Sequence, residues 1–197
     1  MPAPKRGDEP FNSDKQNLGF TVNDFWRWNG SDLLNNLTRG HLAEFIVAKA
    51  LRVKEVVREA WATYDLKTPS GTTVEVKSAA YLQSWKQDDY SSIQFSVRKT
   101  KELDMVNGGY REPAKRHANV YVFALLSHKK VDAIKDKKTV NPLELNQWEF
   151  YVLPTEVLNE LDKNSITLKS LQDVTKLTKG VSYSQLEKSV QRAFPAP

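Results

Sequence analysis

The chain contains no cysteine, which excludes disulfide frameworks, thiolate-ligated zinc and thiol nucleophiles together. Histidine occurs only three times. His41 stands three residues before Glu44, but without a second H-x-x-E a two-metal site between bundle helices is not expected. No apolar run approaches the roughly 20 residues that cross a bilayer, and the first residues lack the apolar segment of a secretory leader. A soluble, cytoplasmic protein without a membrane partner is therefore expected. Glycine-rich phosphate loops of either common type are also missing, as are internal repeats.

What remains is an ordinary globular composition: 197 residues, 40% hydrophobic and 27% charged. That fits one domain able to bury a sizeable core. The net charge of +5 favours a polyanionic partner such as nucleic acid. Residues 1–18 mix Pro, Gly, Asn, Asp and Lys with few apolar anchors and read as a flexible arm. Residues 19–197 read as a single domain, with a core at about 35–126 and a C-terminal extension at about 140–197. The extension is expected to complete the fold and to shape specificity or a homodimer contact.

Along the chain, TVNDFWRW (21–28) suggests a short helix. After Asn29-Gly30, Ser31 or Asp32 can cap a second helix over Leu33 to about Arg58, bent near Gly40. Its stripe Leu42, Ile46, Ala50, Val53, Val57 and the further apolar residues around its circumference predict burial. Strand patterns follow at Trp61–Thr68, Thr72–Leu82 and Ile93–Lys99, the last alternating apolar and polar residues. Lys101–Met105 suggests a short helix. ANVYVFALL (118–126) is continuous enough for a strand buried on both faces. Another strand at Trp148–Leu153 ends at Pro154, and helices are expected from Thr155 to about Leu161 and near Tyr183–Phe194. The fold class is thus α/β, a mixed sheet flanked by helices.

The stretch YDLKTPSGTTVEVKS (64–78) carries the chemistry. If Pro69-Ser70-Gly71 is a three-residue hairpin loop, Asp65 falls opposite Glu75, Lys67 opposite Thr73 and Thr63 opposite Lys77. Tyr64, Leu66, Val74 and Val76 then share the core face. A loop one residue longer or shorter makes the acids diagonal or turns them to opposite faces. Directly opposed carboxylates, with Cβ atoms about 5 Å apart, repel. A divalent cation held by Asp65, Glu75 and a backbone carbonyl relieves that repulsion, with Lys77 alongside to activate a water or steady a phosphate. An exposed hairpin that merely stays wet is the competing reading. Glu44 in a mostly apolar helix points the same way as the acids, because a buried carboxylate needs a partner. A Glu at the helix margin, solvated or bridged to Arg or Lys, is the alternative.

Helix with Glu44, strand with Asp65, strand with Glu75-Val76-Lys77, strand Ile93–Lys99, helix and the ANVYVFALL strand resemble the αβββαβ core of the restriction-endonuclease-like PD-(D/E)XK nucleases. The resemblance covers about residues 35–126. It implies Mg²⁺ (Mn²⁺ substituting) on Asp65, Glu75 and the Val76 carbonyl, with Glu44 as a further acid acting through water. It also implies Lys77 positioning the attacking water and Gln94 contacting water or the scissile phosphate. Tyr64 replaces the proline of the family's motif, and the gap from Asp65 to Glu75 is short. The implied activity is Mg²⁺-dependent phosphodiester hydrolysis by an endonuclease, with DNA as the expected substrate and RNA left open. A non-catalytic nucleic-acid or protein-binding module, or a structural RNA-processing subunit, is the rival. Arg98, Lys99, Lys101, Arg111, Lys115 and Arg116 are candidate phosphate contacts. Trp26, Trp28 and Trp85 are expected in core packing rather than base stacking.

Overall fold

The computed structural model describes residues 3–54, 57–104, 106–129, 134 and 137–195. Among them, no helix is long and apolar enough to cross a membrane. The expected α/β architecture is present as a four-stranded mixed sheet with helices on both faces.

The sheet is built on β3 (Leu66–Lys67), β4 (Thr73–Ala80), β8 (Val120–Leu126) and β9 (Trp148–Pro154), in that order. β4 runs parallel to β8, and the two outer pairings are antiparallel. Every residue of β8 is buried, which is why its sequence shows no alternation. Asn119 fixes the parallel register just before β8. Its Oδ1 accepts from the Thr73 N–H at 2.9 Å, and its own N–H donates to the Thr73 carbonyl at 3.0 Å.

One face packs on α2 (Asn36–Ala50) and α5 (Tyr183–Ala193), through Ala43, Ile46 and Val47 from α2 and Leu186 and Val190 from α5. The other packs on β5 (Gln94–Ser96), β10 (Ser165–Thr167), α3 (Thr155–Leu161) and α4 (Leu168–Thr175), around Phe95, Phe123, Tyr151, Leu158 and Leu171. The expected strand at 148–153, its Pro154 end and the helices at 155–161 and 183–193 are all present.

Several expectations fail, each for a local reason. The segment read as a flexible arm carries β1 (Pro10–Ser13) and the start of β2 (Gln16–Thr21), which pair as a hairpin. Asp14 and Lys15 supply the two positive φ angles that a tight hairpin turn requires, and the Phe11 and Phe20 rings stack at 4.8 Å. The next helix, α1 (Val22–Gly30), runs through Gly30.

Asn35, rather than Ser31 or Asp32, caps α2 by accepting from the Leu37 N–H at 3.0 Å. The Asp32 carboxylate is used in the preceding turn, by the N–H groups of Leu34 and Asn35. α2 ends at Ala50, before the expected Arg58, because Arg52 turns the chain through φ +54°. Residues 55–56 of that expected helix lie outside the described residues. The buried face of α2 is centred on Ala43, Ile46 and Val47, and Phe45 is exposed.

Where a helix was expected at 101–105, β6 (Thr100–Leu103) pairs with β7 (Tyr110–Lys115). The Asp104 carboxylate accepts from the N–H groups of Val106 and Asn107, and Gly108 and Gly109 adopt positive φ, so the chain reverses. Met105 lies outside the described residues. β5 pairs with β10 and not with the central sheet. The helix between third and fourth strands that the αβββαβ comparison requires is therefore a hairpin here.

Arg116, expected among the phosphate contacts, is buried and acts as a clamp. Its guanidinium donates to the carbonyls of Val97 (2.8 Å) and Lys163 (2.7 Å) and to Asn159 Oδ1 (2.8 Å). Arg116→Met strands three acceptors and is expected to cost about 3 kcal/mol. Equilibrium urea unfolding checks this; a loss below about 1 kcal/mol would show that the clamp does not hold the layers together.

Candidate active site

The hairpin forms around the expected three-residue loop. Thr68 N–H donates to the Thr72 carbonyl at 2.9 Å, and Gly71 N–H donates to the Thr68 carbonyl at 2.9 Å. Gly71 sits at φ +92°, a conformation that strains residues with a Cβ. Leu66 pairs with Val74 and Lys67 with Thr73, the register expected from that loop.

The ladder then becomes irregular at Asp65. The Asp65 N–H also reaches the Val74 carbonyl, at 3.1 Å, so Asp65 and Leu66 both face one residue, as in a bulge. Alternation breaks there. Leu66 packs with the α2 side of the core and Tyr64 with the opposite side, whereas the sequence placed both on one face. Residues 61–65 form no strand, so Thr63 does not pair with Lys77.

Because β3 is only two residues long, no strand among the described residues pairs with that edge of β4 beyond Val74. Asp65 turns onto that edge, and its Oδ2 accepts the Val76 N–H at 2.7 Å. The N–H and C=O of one strand residue point to the same side, so the Val76 carbonyl also faces this edge. Glu75 and Lys77 project from the face shared with Tyr121 and Phe123, their parallel partners on β8. Lys77 Nζ donates to Glu75 Oε1 at 2.6 Å, with the two side chains 32% and 18% exposed. This is a half-buried pair, not a wet hairpin face.

Glu44, on α2, takes the salt-bridged alternative. Its two oxygens accept from Arg58 Nε (2.5 Å) and Nη2 (2.9 Å). Arg58 lies on the connection between α2 and β3, and no sequence pattern singled it out.

Burial is the main cause lifting the Asp65 carboxyl to about 7. Glu75 and, more weakly, Glu44 push it further up, while the Val76 N–H and Lys77 pull it down. Tyr121 feels the same charges. Burial first, then Glu75 and Asp65, hold its phenol well above the usual value. Tyr121 was missed in the sequence, although its hydroxyl is the only polar side-chain atom in VYVFALL.

Glu75 and Glu44 thus both act electrostatically on Asp65 at this edge. Among the described residues, no three His, Cys, Asp or Glu side chains form a ready-made cation cage. As the chain stands, Glu44 and Glu75 hold internal cations, and Asp65 holds a backbone N–H. The donor chemistry nevertheless suits a hard cation: two acids and a carbonyl at an edge with surplus negative charge.

The other expected site residues lie apart from these acids or are occupied. Gln94 is exposed, and its Nε2 donates to Ser165 Oγ at 2.5 Å on the neighbouring strand. Lys99 pairs with Asp162 and Lys101 with Glu112, while Arg111 lies between Glu102 and Asp104. Among the described residues, Arg98 and Lys115 are exposed and pair with no carboxylate. Trp26, Trp28 and Trp85, expected in the core, are 43%, 82% and 53% exposed. α1 buries none of its residues, which leaves its two tryptophans outside. His41 is exposed. A shallow depression of about 550 Å³, between the hairpin loop and α5, contains none of the site acids.

Residues 23–170 match the family model described as bacteriophage T4 endonuclease IV, about three quarters of the chain, with Glu44, Arg58, Asp65, Glu75, Lys77 and Tyr121 all inside the match. No curated protein matches the chain.

The Asp65 carboxyl binds its proton more tightly in the fold than at its ordinary 3.8. Its stabilising contribution is complete below that ordinary value and is lost as pH rises through about 7. Without added divalent cation, Asp65→Asn is therefore expected to be more stable than wild type at pH 8, by up to about 4 kcal/mol. The difference should close towards pH 4, and urea midpoints at the two pH values test it.

Proposed function

The chain belongs to the bacteriophage T4 endonuclease IV family, and on that premise we propose that it is a Mg²⁺-dependent endonuclease of the PD-(D/E)XK type, hydrolysing phosphodiester bonds in DNA. The observation that carries this reading is Asp65 at the edge of β4, bonded to the Val76 N–H and within electrostatic reach of Glu75, with Lys77 beside Glu75. Asp65, Glu75 and the Val76 carbonyl are the residues that hold the ion in this reading, and Glu44 is the outer acid. A bound divalent cation polarises a phosphodiester and acidifies water beside it.

The chain's own contribution is positional. Lys77 leaves Glu75 to hold the attacking water and to balance charge gathering on the phosphate. Tyr121 screens the inner side of Glu75 from solvent, and the Val76 N–H fixes the Asp65 carboxylate. Exposed Arg98 and Lys115 serve as contacts to flanking phosphates, which add affinity without reading sequence.

A second reading is a binding module on the same scaffold. The internal pairing of Glu44 with Arg58 and of Glu75 with Lys77 favours it, as does the hairpin replacing the expected helix.

Plasmid and oligodeoxynucleotide cleavage separates the two. Wild type is expected to cleave with Mg²⁺ or Mn²⁺ and to stop in chelator, with turnover falling at least about 100-fold in Asp65→Ala, Glu75→Ala and Lys77→Ala. Salt-sensitive binding without turnover, or cleavage that survives Asp65→Ala, would refute the catalytic reading.

A further inference from the structure

Arg58 is paired with one site acid and lies within electrostatic reach of the other two. It grips both oxygens of Glu44, and Glu44 is the largest influence holding its guanidinium protonated, followed by Asp65 and Glu75. Its side chain is 42% exposed, whereas that of Glu44 is 13% exposed. One partner is set in the fold, and the other reaches it from solvent.

Charge counting gives this geometry a direction. Glu44, Asp65 and Glu75 carry three negative charges when ionised, against Arg58 and Lys77. A doubly charged cation turns that deficit into a surplus, and the phosphate of a substrate removes the surplus. Lys77 sits two residues from Glu75 on the same strand, so its range is short. Arg58 is on a connection and has the longer reach. A planar guanidinium fork fits a phosphate as well as a carboxylate.

We propose that Arg58 is an exchangeable counter-ion, held by Glu44 in the free protein and transferred to a phosphate of the substrate when a divalent cation occupies the acids. This inference rests on the Mg²⁺-dependent reading above. It gives Arg58 two successive jobs. Before the cation arrives, it neutralises the edge of β4. Afterwards it contacts the substrate, and the switch needs no change in the sheet.

The test measures two quantities that a merely structural residue would move together. Mn²⁺ binding without nucleic acid is followed by calorimetry in wild type, Arg58→Gln and Arg58→Lys. Cleavage of an oligodeoxynucleotide at saturating Mg²⁺ is then measured for the same three. Arg58→Gln is expected to bind Mn²⁺ about two- to fivefold more tightly, the equivalent of removing a partly exposed ion pair. Its kcat/KM should nevertheless fall at least about tenfold, and Arg58→Lys should recover part of that loss.

Tighter Mn²⁺ binding with faster cleavage would make Arg58 only a plug and overturn the exchange. Unchanged Mn²⁺ affinity would overturn it too, as would parallel losses of affinity, activity and melting temperature in both variants. If wild type itself gives no Mn²⁺ heat, the metal reading fails and this inference with it. A normal wild-type response beside any of the other results removes this inference alone.

Discussion

Charge withdrawn from water has to be answered by charge or by hydrogen bonds, and this constraint organises the edge of β4. The sheet is covered on both faces, so residues that alternate out of β4 are buried or half-buried. Val74 and Val76 enter the layer beneath α2, while Glu75 and Lys77 enter the opposite one. The remaining access is lateral, past the end of a two-residue strand. There Asp65 binds a backbone N–H, Glu75 a lysine and Glu44 an arginine. Each solution is local, and burial still lifts the Asp65 carboxyl to about 7.

The same constraint explains why the acids are tolerated. A carboxylate facing another across an ordinary ladder would weaken the hairpin. At Asp65 the irregular pairing turns the side chain onto the strand edge. One extra residue opposite Val74 relocates the repulsion from a packed face to an open rim, where water and cations can moderate it.

Much of this was legible in the sequence because it depends on neighbours in the chain. The loop Pro69-Ser70-Gly71 fixed the hairpin register, the alternation in VEVK separated the two faces of β4, and the unbroken run in VYVFALL announced the central strand. Other features depend on residues far apart. Tyr121 stands beside Glu75 only through parallel pairing, and Arg116 is buried only because α3 and the residues after it close over it. Arg58 meets Glu44 from a connection with no periodicity. The pattern at 101–105 resembled a helix, but an aspartate accepting two N–H groups and a pair of glycines reversed the chain. The tryptophans were misplaced for a different reason. Hydrophobicity predicts burial only where another surface packs against the residue, and among the described residues none closes over α1 enough to bury its side chains.

The junction between Thr73 and Asn119 has a bearing on how the site is assembled. Those residues are 46 apart in the chain, and closing a loop of that length costs roughly 3 kcal/mol of chain entropy. The hairpin that gathers Asp65 and Glu75 closes over a few residues and costs far less. The acids can therefore approach one another while still hydrated, when their repulsion is weak. Only when β8 docks, bringing Tyr121 against Glu75, does the dielectric around them drop. The long closure thus carries two charges at once, the ordering of the intervening chain and the desolvation of the acids, and the apolar surface of β8 is what offsets both.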